Sequence, residues 1–159
     1  MRPRLPSSPH EQPDPNRLDP AGLDRDDLEL VGAAEIVMRQ NYRPFWHTVA
    51  AALRDSRGRI WTGVHLGATV GRLAICAEAV AMGRAVMDGA FAEGGGIVTA
   101  VAVRHPKPEE GGEIAIVSPC GACRELIVDY SPEAMVIVPG PSGPIKLPVR
   151  VLLPLPYQR

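Results

Sequence analysis

The stretch SPCGACREL, Ser118 to Leu126, contains two of the chain's three cysteines, Cys120 and Cys123. The run GEIAIVS that leads into it is rich in β-branched residues and predicts a buried strand. The residues from Cys120 to Tyr130 predict a short helix that Ser131-Pro132 ends. A C-x-x-C motif at the start of a helix is typical of a redox pair, of half a structural zinc site or of part of a catalytic one.

The third cysteine, Cys76, lies at the start of a second predicted helix, in the alanine-rich run AICAEAVAMGRAVMDG that Gly89 ends. Helix N-termini stabilise thiolates through their dipole and free N–H groups. Two such helix ends meeting at one point bring all three sulfurs together. Three protein ligands and one open position are how a catalytic zinc is held. Glu78 projects from the first turn of the same helix, where a carboxylate can transfer protons.

The residues alone leave two other interpretations open. One is a closed Cys₃His zinc site that uses His47, His65 or His105 as its fourth ligand. The other is a thioredoxin-like redox pair, which leaves Cys76 without a role.

The rest of the chain predicts one α/β domain. Its 159 residues suit a single core. The first twenty residues hold six of the seventeen prolines, so we expect a flexible tail over residues 1–22 and a folded domain over residues 23–159. The predicted order is helix, two strands joined at Gly58, helix, two strands, helix and strand, which favours a mixed sheet with helices on its faces.

Composition and charge narrow the classes of partner. The net charge is −1, which argues against a nucleic acid as the main partner. No apolar run approaches the ~20 residues of a membrane span, and the N-terminus has no apolar segment typical of a secretory signal. Three cysteines is an odd number that suits thiols or metal ligands in a reducing compartment. We therefore expect a cytoplasmic protein.

Two motifs in this order are specific: Cys76-Ala77-Glu78, and Pro119-Cys120-Gly121-Ala122-Cys123. A C/H-x-E motif followed by P-C-x-x-C is the pattern of zinc nucleoside and nucleobase deaminases. From about Asp24 to its end the chain resembles the cytidine deaminase family, of the small homotetrameric kind that includes blasticidin S deaminase. VAAALRDSRGRIWTGV resembles the family's first hairpin.

The resemblance implies a three-layer α/β/α sandwich with a mixed sheet of about five strands, and a homotetramer. It implies a zinc-dependent hydrolysis that converts an aminated pyrimidine nucleoside, or a related compound, to the oxo product plus ammonia. Cys76, Cys120 and Cys123 would hold Zn²⁺, and Glu78 would move the protons. A rival interpretation is a catalytically silent zinc-binding module used for oligomerisation, in which Glu78 has no purpose.

The substrate-binding residues also follow from the resemblance. The Ser118 carbonyl would hold the substrate amine and the Ala77 N–H a ring oxygen. His47 falls where the family has an aromatic residue that stacks on the base, with Phe45 just before it. In the family motif GVNVE, whose asparagine and glutamate bind ribose, this chain has His65 and Gly67. This departure favours a blasticidin S-type or other non-standard amino-heterocycle as an alternative to cytidine.

Overall fold

The computed structural model describes residues 22–158. All but the last residue of the predicted tail, residues 1–22, therefore lies outside the described residues. The described chain forms four α-helices and six strands, joined in places by short 3-10 turns. Their bounds are α1 (Arg25–Asn41), β1 (Val49–Asp55), β2 (Ile60–Val64), α2 (Ala77–Met87), β3 (Ile97–Arg104), β4 (Ala115–Val117), α3 (Gly121–Tyr130), β5 (Met135–Gly140), β6 (Gly143–Pro148) and α4 (Val149–Leu152).

The strands form one mixed sheet in the order β2-β1-β3-β5-β6. β1 is antiparallel to β2 and β3, while β3 and β5 are parallel. β4 pairs antiparallel with the last residues of β3, on the same side as β5. β3 is long enough to pair β5 along residues 99–101 and β4 along residues 102–104. This shared edge explains why the sheet has six strands and not the expected five or so.

Two core clusters on opposite faces of the sheet make the three layers. Leu30, Ala34 and Met38 of α1 pack on one face, against residues of β1, β3 and β5. Residues of α2 and α3 pack on the other face, around Leu53 and Trp61. The expected three-layer α/β/α sandwich is therefore confirmed. No helix within residues 22–158 has the length and apolarity needed to cross a bilayer.

Local sequence chemistry sets where the first elements begin and end. Asp24 caps α1: its carboxylate accepts from the Asp27 backbone N–H at 2.8 Å, and Asp27 returns a bond to the Asp24 N–H. Lys146 in β6 donates to Asp27 at 2.7 Å, which fastens the start of α1 to the sheet edge. Gly58 makes the predicted turn between β1 and β2, with a φ of +80° that glycine adopts freely.

The buried face of α2 differs from the predicted one. The apolar spacing of the run AICAEAVAMGRAVMDG predicts that Ile75, Ala79, Met82 and Val86 face the core and that Met87 packs. The structure instead buries Ala77, Glu78, Ala81, Met82 and Ala85, while Ile75 and Val86 are nearly half exposed. Met87, which the sequence predicts to be a packing residue, is 85% exposed. The prediction failed because alanines make most of the contacts between α2 and the sheet. Alanine side chains are too small to produce a clear hydrophobic periodicity in the sequence.

Gly63 in β2 sets how closely α2 approaches the sheet. A Cβ atom at Gly63 would lie 2.6 Å from the Ala77 backbone oxygen and 2.6 Å from the Ala81 backbone nitrogen. Both atoms belong to the helix backbone, so a side chain there must push the whole helix outward. The glycine therefore allows the first turn of α2, which carries Cys76 and Glu78, to lie directly on the strand.

We expect Gly63→Ala to lower the free energy of unfolding by about 1–3 kcal/mol, because the added methyl overpacks the interface of α2 with β2. The matched control is Gly83→Ala in the same helix, where a Cβ has open space. This control should raise stability by about 0.5–1 kcal/mol, through better helix propensity. Urea denaturation followed by circular dichroism measures both. Equal stability of the two variants would contradict the packing argument.

Candidate active site

The two predicted helix starts meet at one point. Cys76 is the N-cap residue of α2 and Cys120 is the N-cap residue of α3. Cys123 lies in the first turn of α3 and is buried. The Cys76 and Cys120 sulfurs are 3.6 Å apart, and all three sulfurs lie within 4.8 Å of one another. The spatial cluster that the sequence predicts is present.

The spacing of the sulfurs fits a zinc ion. Zinc–sulfur bonds of ~2.3 Å at a tetrahedral centre place two sulfurs roughly 3.8 Å apart. Within the described part of the chain, the cluster able to hold a metal contains the three cysteines and no histidine, aspartate or glutamate. This composition disfavours the closed Cys₃His alternative, in which His47, His65 or His105 completes the set. Three sulfurs leave one coordination position for a reactant, as catalytic zinc sites do.

The protein environment shifts the pKa values of the three thiols in different directions. Burial, followed by the negative charge of Glu78, raises the pKa of Cys123 well above its ordinary value. Burial and the hydrogen bond with Cys120 raise the pKa of Cys76. Burial alone would also raise the pKa of Cys120, but the Cys123 backbone N–H and hydrogen bonds with the other two thiols bring it below the ordinary value. Cys120 is therefore the thiol that ionises first.

Glu78 lies in the first turn of α2 and is only 6% exposed. Its negative charge disfavours the ionisation of all three thiols, although hydrogen bonds still bring the pKa of Cys120 below its ordinary value. An anionic group buried beside three thiols is costly in a folded protein unless a cation or a reaction uses it. The position of Glu78 thus fits both a bound metal ion and proton transfer next to it.

A cavity of about 170 Å³ opens beside the cysteines. Cys76, Ala77 and Glu78 from the start of α2 line one part of it, with Ser118 and Cys120 from the start of α3. The sheet contributes the other part, from residues at the ends of β1, β2 and β4: Thr48, Val49, His65 and Val117.

The predicted site residues do not all reach this cavity. Ala77, Ser118 and His65 line it, as do Glu78, Cys76 and Cys120. His47 and Phe45 lie just before β1, and neither is among the residues that line it. The His47 ring nitrogen Nδ1 lies 2.9 Å from the His65 carbonyl oxygen, so His47 contacts a residue that lines the cavity. Phe45 is 75% exposed.

Three lining residues escaped the sequence analysis: Thr48, Val49 and Val117. Val117 directly precedes Ser118, so its position follows from the motif. Thr48 and Val49 come together with the motif only through long-range strand pairing of β1 with β3, which a single sequence does not display.

Arg124 lies beside the metal ligands but does not hydrogen-bond to a sulfur in this structure. Its Nε donates to the Pro119 carbonyl at 2.9 Å, and its NH1 donates to the Leu152 carbonyl at 3.1 Å. The side chain thus connects the residue before Cys120 to α4.

A mixed sheet that carries three cysteines at two helix N-termini, with a buried glutamate beside them, defines a zinc-dependent hydrolytic deaminase. The comparisons agree. Residues 25–139 match the model of the cytidine and deoxycytidylate deaminase zinc-binding region. The chain is 41% identical over 138 residues to blasticidin-S deaminase from Bacillus cereus, covering 86% of this chain and 96% of that protein. It is 31% identical over 134 residues to a probable cytidine deaminase from Dictyostelium discoideum, covering 83% and 84%.

Among solved structures, cytidine deaminase from Mycobacterium leprae superposes with a TM-score of 0.64 at 26% identity, covering 83% of this chain and all of that one. The chain therefore belongs to the cytidine and deoxycytidylate deaminase family. The resemblance expected from the sequence is confirmed, as are zinc as cofactor and a hydrolytic deaminase activity on small molecules.

We expect about one zinc ion per chain, lost when a ligand is removed. Replacing Cys120 or Cys123 by serine should weaken zinc binding by more than the ~10–100-fold that loss of a group behind a ligand costs. Ala122→Ser is the matched control, because it adds a hydroxyl in the same turn and leaves the sulfurs in place. Elemental analysis after dialysis against a chelator measures the difference. A folded, active, zinc-free protein would contradict this expectation.

Proposed function

We propose that the chain deaminates an aminated pyrimidine nucleoside or a related compound, with Cys76, Cys120 and Cys123 holding Zn²⁺ and Glu78 as the catalytic acid and base. The observation that carries this proposal is the position of Glu78, buried in the same cavity as Cys76 and Cys120. The reaction adds water at the amine-bearing carbon and releases ammonia. It therefore needs a group that takes a proton from water and returns protons to nitrogen.

The three cysteines and Glu78 would have separate roles in this reaction. Zinc, when bound by the three sulfurs, supplies a Lewis acid that makes a water more acidic. Glu78 accepts the proton from that water. The same carboxylate would donate that proton to the ring nitrogen next to the reacting carbon. It would then accept a second proton from the hydroxyl formed on that carbon and donate it to the leaving amine, which departs as ammonia as the oxo group forms. A single carboxylate suffices, because each donation restores the form that accepts.

Two backbone groups at the helix starts would orient the ring. The Ser118 carbonyl would accept from the substrate amine, and the Ala77 N–H would donate to the ring oxygen. Both residues line the cavity together with Glu78. Backbone groups next to the metal ligands are held as firmly as the ligands themselves, so they position the amine towards Glu78.

His65 would contact the part of the substrate outside the reacting ring, while His47 and Phe45 fall where the family places an aromatic residue that stacks on the base. His65 lines the cavity, and His47 supports it through the hydrogen bond to its carbonyl. Phe45 has a φ of +65°, which is unusual for a bulky residue, and its ring is exposed two residues before His47. A strained residue that presents an aromatic ring near a cavity suits stacking on a ligand.

We favour a blasticidin S-type amino-pyrimidine over plain cytidine as the substrate. The 41% identity to blasticidin-S deaminase extends over nearly the whole of both chains. His65 and Gly67 stand where an asparagine and a glutamate would hold ribose. A glycine offers no side chain for a ribose hydroxyl.

The rival, a silent zinc-binding module, fits the site less well. A module of that kind needs only the sulfurs. Glu78 is buried and lines the cavity together with Cys76 and Cys120, although it is not needed to hold a metal. A carboxylate in this position favours catalysis over a purely structural role.

We further propose a homotetramer in the cytoplasm. Apolar side chains are exposed on the segment between β2 and α2, where Leu73 is 64% exposed, and near the C-terminus, where Leu155 is 86% exposed. Such surfaces on a small chain favour contact with further copies. The three cysteines are free thiols, which suits a reducing compartment.

The first test is a substrate panel of cytidine, deoxycytidine, cytosine and blasticidin S, incubated with the zinc-loaded protein. We expect ammonia release from at least one compound. We expect kcat/KM for cytidine to fall below the ~10⁴ M⁻¹s⁻¹ of ordinary efficient enzymes, because the ribose contacts are reduced. Release from none of them would refute the proposed activity, and efficient use of cytidine would refute the substrate preference.

Glu78→Gln should retain zinc and fold but lose ~10²–10⁴-fold in kcat, because the amide cannot take up the proton of water. Glu109→Gln, in the exposed loop between β3 and β4, is the matched control with the same chemical change. Zinc content and steady-state ammonia release are measured on both. Near-normal turnover of Glu78→Gln would show that another group transfers the proton.

Sedimentation velocity tests the assembly. The wild-type chain should sediment as a tetramer at micromolar concentration. Leu73→Glu should dissociate it, because it places a charge in the apolar segment before α2. Leu28→Glu in α1, at a similar exposure of 59%, should not. A wild-type monomer, or equal behaviour of the two variants, would contradict the proposed interface.

A further inference from the structure

The side chain of Arg124 joins two segments that are far apart in the sequence. Its Nε donates to the Pro119 carbonyl at 2.9 Å, and its NH1 donates to the Leu152 carbonyl at 3.1 Å. Both bonds are partly buried. A guanidinium presents its N–H groups in a fixed, planar arrangement, so two simultaneous bonds from different nitrogen atoms set the relative position of the two acceptors.

The first acceptor, the Pro119 carbonyl, belongs to the peptide bond that leads directly into Cys120. Cys120 is the N-cap residue of α3 and has an extended backbone, with a φ of −66° and a ψ of 168°. The Pro119 carbonyl therefore lies ahead of the helix and outside its ladder of hydrogen bonds. Within residues 22–158 no backbone N–H donates to it, so the guanidinium is the group that holds this peptide.

The second acceptor, the Leu152 carbonyl, lies at the end of α4, which is itself attached to the sheet. Val149 at the start of α4 is fully buried, and its N–H donates to the carbonyl of the residue before β5 at 2.9 Å. The next residue of α3, Glu125, accepts a hydrogen bond from the Tyr157 N–H at 3.1 Å. The C-terminal segment is therefore held against α3 at two places, and it offers Arg124 a fixed point.

The contacts of Arg124 are with the backbone around a proposed metal ligand. Among the described residues, its guanidinium donates to two backbone carbonyls and to no sulfur or carboxylate. The backbone N–H of Arg124 donates to the Cys120 carbonyl at 3.0 Å. The side chain and the backbone of this one residue therefore hold both peptide groups that flank Cys120.

Holding both peptides limits how far Cys120 can move. Its sulfur lies 3.6 Å from the sulfur of Cys76, which belongs to a different helix. Without the guanidinium, the partly buried Pro119 carbonyl would lose its donor, and rotation of the peptide towards water would restore a hydrogen bond. Such a rotation would shift Cys120 relative to Cys76. It would also move Ser118, one residue earlier, which lines the cavity.

We propose that Arg124 is a positioning residue for the deamination: it fixes the peptide before Cys120 against α4, and so sets the placement of one metal ligand and of the Ser118 carbonyl. This inference rests on the proposed roles of those two residues. Groups that orient metal ligands from behind typically change metal affinity or activity by ~10–100-fold when they are removed. The guanidinium acts through its shape as well as its charge, because the two bonds come from two different nitrogen atoms.

The first test measures zinc affinity by competition with a chelator. Arg124→Met removes both bonds and keeps an unbranched side chain, and we expect it to weaken zinc binding by ~10–100-fold. Arg124→Lys keeps the positive charge on a single nitrogen atom, so it should retain only part of the affinity. Arg150→Met is the matched control, because Arg150 lies in α4, is 53% exposed and pairs with the exposed Glu133 at 3.7 Å. It should bind zinc like the wild-type chain.

Spectra of the Co²⁺-loaded chains separate positioning from stability. The visible absorption of Co²⁺ depends on the geometry of its ligands, so it should change in Arg124→Met and stay the same in Arg150→Met. A residue that only stabilises the fold would leave the spectrum of the folded protein unchanged. With zinc at saturation, kcat on the best substrate of the panel should also fall in Arg124→Met, because the Ser118 carbonyl moves.

An unchanged zinc affinity, Co²⁺ spectrum or kcat in Arg124→Met would overturn the inference, and so would full zinc affinity in Arg124→Lys. Should Arg124→Met not fold, the zinc affinity of Arg124→Lys decides. If the wild-type chain releases no ammonia from any compound, the proposed function fails, and the zinc affinities still decide the role of Arg124.

Discussion

The close approach of α2 to the sheet is the contact on which the site depends. Ala77 at the start of the helix packs on Ala51 of β1 and Ala102 of β3, and Gly63 of β2 leaves room for the helix backbone. Larger residues at these positions would lift the helix from the sheet by the width of a side chain. Cys76 would then move away from Cys120, whose position is set separately by β4 and α3. The alanine and glycine contacts therefore fix the position of Cys76 relative to Cys120.

The energetics of the three thiols favour a bound cation. Burial raises the pKa of Cys123 and Cys76, and the Glu78 carboxylate acts in the same direction. Only Cys120 has its pKa lowered, mainly by the backbone N–H at the start of α3. A metal ion must displace the remaining protons, and its charge compensates for three sulfurs and one carboxylate in the same place. Folding brings these groups together at a cost, and metal binding is what offsets it.

The sequence alone predicted the main helices and strands and the zinc deaminase chemistry, because both depend on local sequence patterns. The turn at Gly58 and the two cysteine motifs each act over a few residues. The predicted buried face of α2 was wrong, because alanines pack there without showing a hydrophobic period. The contact of Gly67 with Trp46 was not predictable, since it joins residues twenty-one positions apart that carry no recognisable motif. Long-range backbone contacts of this kind depend on the finished sheet.

The proposed catalytic and substrate-binding residues lie on different parts of this fold. The sulfurs and Glu78 belong to the first residues of α2 and α3. The packing of Ala77 on Ala51 and Ala102 holds α2 in place, and the pairing of β4 with the sheet positions α3. His65 belongs to the end of β2 and is held by a turn that touches it only through backbone groups and the His47 ring. A change near the end of β2 can therefore alter the sheet side of the cavity without moving the three cysteines. One deamination chemistry can in this way serve substrates that share an amino-pyrimidine ring and differ in everything attached to it.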